Sequence, residues 1–476
     1  MKRFKIIIIG LAATIYLSGC DGDLLVKSPP DALTEEGFYN SEERAELGVN
    51  AVYESVAGEW DRELLRVSNV PAGDILLSNT EPLEYNNFTY HPAIQEFQFI
   101  WTNQYEGIGR ANTIIAALPE IEMDATLKNR YLAEARFLRA LNYFTLSNLW
   151  GGVPIVTTPF VSTDDVLIAR ASLQEVYSLI IEDLQFAQNN LPFKSDYGDS
   201  DLGRATWGAA AALLGKVYLY DENYQQAYNL FKEIIDSGRY ALMDNFEHVW
   251  HRDYENNVES IFEVQYADIG GGGASGRNGS NLPAVNGATG ASLATESAVN
   301  GFEDGDPRLQ FSIFREGDTF APHINPDLAT FSTAWSATGY AVKKGMVPIL
   351  YTNGGGGNTP LIRYADVLLM FAEAANELGL NQEARDAINQ VRQRPTVGLP
   401  EITVDSYQEI FDAIVQERRS EFVFEAHRFN DLRRWGLAQD ILGSQGYESR
   451  HRYFPIPQLE IDINENLEQN PGWGQN

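Results

Sequence analysis

Two distant stretches of this chain carry the same spacing of small and apolar residues, and that spacing restricts the fold more than any other feature. Leu214, Gly215, Tyr218, Ala227 and Phe231 form one set; Phe371, Ala372, Ala375, Ala384 and Ile388 repeat its offsets. Steps of three and four place residues on one helix face. The small residues fall where two helices must approach closely, which is the tetratricopeptide-type pattern. A helix pair of this kind cannot bury its apolar face alone, so pairs must stack. The copies are scattered rather than tandem. They predict one helical scaffold assembled from both ends of the chain.

The remaining patterns fill in that scaffold. Ser41 is a helix N-cap followed by acidic residues, which predicts a helix over 41–57. A long helical pair is predicted at 98–118 and 126–149, with Pro119 near the break. Further helices fit 172–190, 204–220, 224–237, 361–379, 381–393 and 406–435. Residues 60–97, rich in Asn, Pro and aromatics, read as loop. Between 240 and 360 short β-like runs such as 260–266 alternate with Gly-rich stretches. The fold class is therefore mainly α. Tetratricopeptide-like helix pairs form a scaffold over about 41–240 and 361–450, within a single domain spanning 41–476. A large irregular insertion carrying short β-strands covers about 240–360. Loops on a rigid support are where binding sites tend to form.

The start of the chain reads as an export signal. Lys2, Arg3 and Lys5 precede an apolar run from Ile6 to Leu17, too short to span a bilayer comfortably. Leu17-Ser-Gly-Cys20 then matches a lipoprotein box. Cys20 is the only cysteine, and lipidation gives that thiol a use. On this reading 1–19 is a signal peptide, Cys20 carries the lipid, and 20–40 is a tether holding the chain to a membrane. Asp21-Gly-Asp23 resembles the acidic tag of Bacteroidetes lipoproteins sent to the outer face of the outer membrane.

Charge narrows the partners. The formal net charge is -31. Phosphate contacts need clustered Lys and Arg, so a nucleic-acid partner is excluded. The same acidity points away from anionic polysaccharides. No cofactor pattern stands out. Gly270 to Gly273 and Gly354 to Gly357 lack the strand–turn–helix context and the Lys of a phosphate cradle. His248 and His251 lack an evident third metal ligand. Asp196, Asp199 and Asp201 lie in a loop suited to calcium, without EF-hand spacing.

Several motifs follow one another along the chain: Tyr131-Leu-Ala-Glu-Ala-Arg-Phe-Leu-Arg-Ala-Leu-Asn-Tyr-Phe144 with Leu149-Trp-Gly-Gly-Val-Pro154; Gly203-Arg-Ala-Thr206; Asp306-Pro-Arg308; Arg363-Tyr-Ala-Asp-Val-Leu-Leu-Met-Phe-Ala-Glu-Ala374 with Asn389-Gln-Val-Arg392; Glu417-Arg-Arg-Ser-Glu-Phe422 with His427-Arg428 and Asp431-Leu-Arg-Arg-Trp435; and Tyr453-Phe-Pro-Ile-Pro457 with Gln469-Asn-Pro-Gly-Trp473. Taken in order, they resemble the SusD/RagB family of outer-membrane glycan-binding lipoproteins. The residues themselves read as structural. Glu417, Arg418, Glu421 and Arg428 have spacings for ion pairs along one helix face, and Arg363 and Asp366 form an i, i+3 pair.

The resemblance implies a non-enzymatic protein that captures a glycan and closes like a lid over a SusC-like TonB-dependent transporter. A lid subunit that binds peptide, or one that only stabilises the transporter, is the alternative. A helical glycoside hydrolase is a further one. It needs two carboxylates across a sugar, and Glu303, Asp304 and Asp306 cluster in one loop. A glycan site wants exposed aromatic faces beside Asp, Asn, Gln or Arg. Of the eight tryptophans, Trp150, Trp207, Trp435 and Trp473 fall in scaffold motifs and Trp250 in an apolar pattern, leaving Trp60, Trp101 and Trp335. Trp101 opens a helix, so packing and ligand contact are equally open to it. The resemblance assigns the site to about 60–104 and 265–345. Within them the candidates are Asp74, Asn79, Trp101, Trp335 and Tyr340, with Tyr85 and Tyr266 behind. The acidity favours a neutral polysaccharide or oligosaccharide.

Overall fold

Several helices begin here where a side chain takes over their first free amides. In the computed structural model, which describes residues 38–60, 63–77, 83–160, 167–266, 292–319, 330–345 and 357–474, Asp124 accepts from the amides of Thr126 and Leu127. Ser172 and Glu175 form a reciprocal capping box, and Thr206 and Ser406 cap two more starts. The first half of the chain runs α1 (Glu42–Trp60), α2 (Glu63–Asn69), β1 (Ile75–Leu77), α3 (Gln95–Ala117), α4 (Ala125–Trp150), α5 (Leu173–Asn190), α6 (Trp207–Tyr220) and α7 (Tyr224–Asp236). Short pieces follow: β2 (Ser260–Val264), β3 (Ser292–Ala294), α8 (Glu296–Val299), α9 (Arg308–Ser312), β4 (Ile313–Phe314), β5 (Ala341–Val342) and β6 (Thr359–Arg363). The chain closes with α10 (Tyr364–Glu377), α11 (Asn381–Arg392), α12 (Tyr407–Glu421), α13 (Arg428–Arg434), α14 (Ala438–Leu442) and α15 (Gln458–Ile463).

The helices stack in chain order: α1 on α3, α3 on α4, α4 on α5, α5 on α6 and α6 on α7. Then α7 packs on α10, and α10 on α11 and α12. The stack is continuous across the insertion, as the two copies of the repeat spacing predict. Close approach explains the small residues. A Cβ on Gly215 would sit 2.5 Å from the ring of Phe231. Ala372, Ala375, Ala384 and Ile388 are fully buried. One apolar cluster extends from Ala45 to Trp473 and includes residues of the insertion.

The strands pair antiparallel as β1–β3, β2–β6 and β4–β5. The β1–β3 pair joins the segment after α2 to the insertion, with Ile75 opposite Ala294 and Leu77 opposite Ser292. β3 also packs on β5.

Two expectations are corrected. Residues 60–97 are not only loop, since α2 and β1 form there. The helix predicted over 406–435 is two, α12 and α13. The turn between them holds Phe424 at φ 66° and Ala426 at φ 64°, both left-handed and unfavourable for residues with a Cβ. Asn69 at the end of α2 fixes that turn. Its Nδ2 donates to the Phe424 carbonyl at 3.1 Å and its Oδ1 accepts from Ala426 N at 2.9 Å. No described helix is long and apolar enough to cross a membrane.

Candidate functional site

The charged motif residues lie inside the molecule, where they join scaffold to insertion. Arg308 donates to Asp306 at 2.8 Å, Glu417 at 2.6 Å and Glu421 at 3.0 Å. Arg363 donates to Glu259 at 2.8 Å, Glu421 at 2.6 Å and Glu425 at 2.8 Å. Arg394 reaches Glu259 at 2.6 Å and Glu421 at 2.8 Å. Lys344, just after β5, pairs with Glu425 and donates to the Glu421 carbonyl at 2.7 Å. Burial pushes the Lys344 ammonium down to about 8, with Glu425 opposing. Burial alone would raise the Glu421 carboxyl, yet Arg394, Arg363 and Arg308 hold it well below the usual range. The pairs expected along single helix faces do not form. Arg363 turns to the acids above. Asp366 instead accepts from Arg418 at 2.8 Å and Lys216 at 3.0 Å, and Arg428 faces Asp74 at 3.7 Å.

Helix α4, which carries the first of these motifs, serves the same purpose. Arg139 grips Asp183 of α5 with two 2.8 Å bonds. Glu134 accepts from Tyr53 of α1 at 2.9 Å and Arg204 at 3.0 Å. Trp150 donates to the Pro455 carbonyl at 2.9 Å, pinning the C-terminal segment.

Three of the candidate ligand residues turn out to be interior. Asp74 is 2% exposed, with Arg419 at 3.4 Å and Arg428 at 3.7 Å. Burial raises its carboxyl and Arg419 opposes. Tyr85 is fully buried, edge-on to Phe97 at 5.7 Å. Trp101 is 3% exposed and meets Trp150 edge-on at 5.2 Å. Tyr266 is half-buried and donates to the Ala57 carbonyl at 2.7 Å, tying the insertion to α1. As placed, Asp74, Tyr85 and Trp101 brace the fold, which corrects the expectation that they face a ligand, while Tyr266 stays part-exposed. Arg419 and Arg428 come to Asp74, and Trp150 to Trp101, from distant parts of the chain, so no local pattern reveals that burial. Asn79 lies outside the described residues, as do Cys20 and the rest of the leader.

Trp335 and Tyr340 are placed differently. Both are half-buried on the insertion. Trp335 stands edge-on to the buried Phe331 at 5.9 Å, and Phe331 stacks on Phe314 at 5.7 Å. Between the two candidates Ser336 Oγ donates to the Tyr340 carbonyl at 2.6 Å and Thr338 Oγ1 at 3.1 Å. Tyr340 leads directly into β5, which packs on β3, and β3 pairs with β1. The two segments assigned to the site therefore do meet. Phe331 was not singled out by the sequence, although its four-residue spacing from Trp335 is a usable signal.

Several of the groups suited to other chemistry are engaged, while Asp199 and Asp304 are exposed. Glu303 binds Arg392 through bonds of 2.5 and 3.0 Å, which lower its carboxyl, and Asp306 binds Arg308. Asp201 pairs with Arg130 at 3.2 Å and Arg204 at 2.8 Å, and Asp196 accepts from Phe193 N at 3.3 Å. His248 stacks on Tyr254 at 3.8 Å. Among the described residues no group of three or more His, Cys, Asp or Glu is set to hold a metal ion.

Comparison with known proteins follows the same outline. A family model described as "SusD family" matches residues 258–451, and one described as "Starch-binding associating with outer membrane" matches 25–219. A SusD-like protein of Formosa agariphila is 28% identical over 99% of both chains. A SusD-like protein of Bacteroides fragilis NCTC 9343 superposes with a TM-score of 0.81 at 25% identity, covering 94% of this chain and all of that one. A solved laminarin binding SusD-like protein superposes with a TM-score of 0.79 at 29% identity, covering 91% of this chain and all of that one.

Proposed function

The chain belongs to the SusD family, and from that premise we propose that it captures a neutral glycan at the cell surface and delivers it to a SusC-like TonB-dependent outer-membrane transporter. The observation that carries the reading is two part-exposed rings beside the β1–β3–β5 junction, Trp335 mounted on Phe331 and through it on Phe314, and Tyr340 leading into β5. A ring held this way loses little freedom when a sugar's C–H face settles on it. The formal charge of -31 opposes an anionic polymer. The laminarin binding relative makes laminarin the first polymer to test.

The mechanism is capture without bond cleavage. A hydrolase needs a free acid and a free base across the sugar, and the loop carboxylates Glu303 and Asp306 are each held by an arginine. Affinity comes from several weak ring contacts and from the crowding of anchored copies on the membrane. Cys20 supplies the anchor and Asp21 to Asp23 the outward address. Native electrophoresis through gels containing laminarin, other neutral polysaccharides and a charged polysaccharide tests the ligand. Retardation by a neutral polymer without shortening of its chains supports capture. Free migration through every gel contradicts it. Protease treatment of intact cells tests the address: the protein is digested if it faces outward and survives if it does not.

A further inference from the structure

A cleft apart from the insertion aromatics lies between α2, α4, α6 and β6, floored by the strained turn between α12 and α13. Its walls are apolar, built by Leu64, Leu65, Leu141, Phe144, Leu213 and Leu361. Its polar lining is of a different kind. Lys216, His427, Asn148 and Asn430 all face it. Apolar walls with a few convergent polar groups are the usual form of a small-molecule site.

Glu425 also lines the cleft, but its two carboxylate oxygens are taken by Arg363 at 2.8 Å each and by Lys344. The polar groups left to face a ligand, at Lys216, His427 and Asn430, are therefore donors. Lys216 spends one N–H on Asp366 at 3.0 Å and lies 3.5 Å from His427 Nδ1. An ammonium has three donors and no acceptor, so Nδ1 is the acceptor and the imidazole proton sits on Nε2. Burial, with Lys216 adding to it, holds His427 neutral by pushing it down to about 4. Behind the cleft, Arg433 is 5% exposed and donates to the carbonyls of Arg452 at 2.8 Å and Asn148 at 3.0 Å. It also donates to Asn430 Oδ1. None of these oxygens is charged. Taking up the Asn430 oxygen leaves that amide its N–H donors. Buried guanidinium groups elsewhere in this molecule meet carboxylates, as Arg308, Arg363 and Arg418 do. Here a buried positive charge backs a donor-rich lining in a chain that is otherwise strongly acidic.

We propose that this cleft binds a small organic anion with an apolar body, an aryl- or alkyl-carboxylate. The carboxylate lies against Lys216, His427 Nε2–H and the Asn430 amide, and the body lies against the leucines and Phe144. Two left-handed residues, Phe424 and Ala426, hold His427 and the floor in place, and such strain is retained where surrounding structure uses the geometry. This proposal does not depend on the glycan reading, since the insertion aromatics take no part in it.

The test is calorimetric titration of the full chain with 3-phenylpropionate and with its uncharged amide. The wild type should take up one carboxylate per chain, at least tenfold more tightly than the amide. Leu65→Trp, at a half-buried wall position, fills the cleft and should abolish uptake. Lys216→Met leaves Asp366 paired with Arg418 and should weaken the carboxylate at least tenfold while sparing the amide. The far-ultraviolet circular dichroism of each variant establishes that it is folded, and either variant suffices if the other is not. No uptake by the wild type, equal affinity for carboxylate and amide, or uptake unchanged in a folded variant each overturns the proposal.

Discussion

Single residues separate scaffold from surface. Trp101 and Trp335 are both ligand candidates in the sequence, yet Trp101 meets Trp150 in the core while Trp335 is half-buried on the insertion. Trp101→Ala should therefore cost about 3–5 kcal/mol in urea denaturation and leave glycan affinity unchanged while the protein stays folded. His427 gives a second prediction. Its folded value of about 4 lies below its unfolded value of 6.5. The unfolded chain then binds more protons between these limits, so the contribution is complete above pH 6.5 and is lost as pH falls toward 4. The loss is up to roughly 3 kcal/mol. His451, buried and also lowered to about 4, adds to the same window. Urea midpoints from pH 7 to 4.5 should fall in the wild type and fall less steeply in His427→Gln. An unchanged slope would rule His427 out as a source. Asp74 and Tyr85 show why sites are harder to read than folds. Arg428, which faces Asp74, is far away in sequence, and Tyr85 sits in a stretch that reads as loop.

At the scale of elements, capping and repeat spacing made most helices legible. Ser172, Thr206 and Ser406 mark their starts, and the small residues mark which helices pair. The break between α12 and α13 was not legible. Nothing local marks 422–427 as a turn, and the left-handed residues there are Phe and Ala rather than Gly. What fixes the turn is Asn69, more than 350 positions earlier. Asn69→Ala removes both bonds and leaves a buried carbonyl and amide unpaired, at about 1–3 kcal/mol for an unsatisfied group. The expected outcome is a lower melting temperature with helix content retained in the folded protein. A melting temperature equal to that of the wild type would mean that the turn is held by other contacts.

Across the whole molecule, the buried ion network makes the insertion part of the scaffold. Glu421 alone accepts from Arg308, Arg363 and Arg394, which come from α9, β6 and the segment after α11. Removing one partner from a buried set strands the others, so Glu421→Gln should cost about 3–5 kcal/mol. Equilibrium denaturation measures this, and a change below about 1 kcal/mol would mean that the network contributes specificity rather than stability. Such a scaffold gives Trp335 a fixed orientation, which is what a capture surface requires. The most direct measurement is calorimetric titration of laminarin, or of whichever neutral polymer retards the wild type, into wild type and Trp335→Ala. Losing one aromatic contact should weaken binding by about 1 kcal/mol, roughly fivefold, with the melting temperature unchanged. Wild-type affinity in Trp335→Ala would contradict capture at this surface.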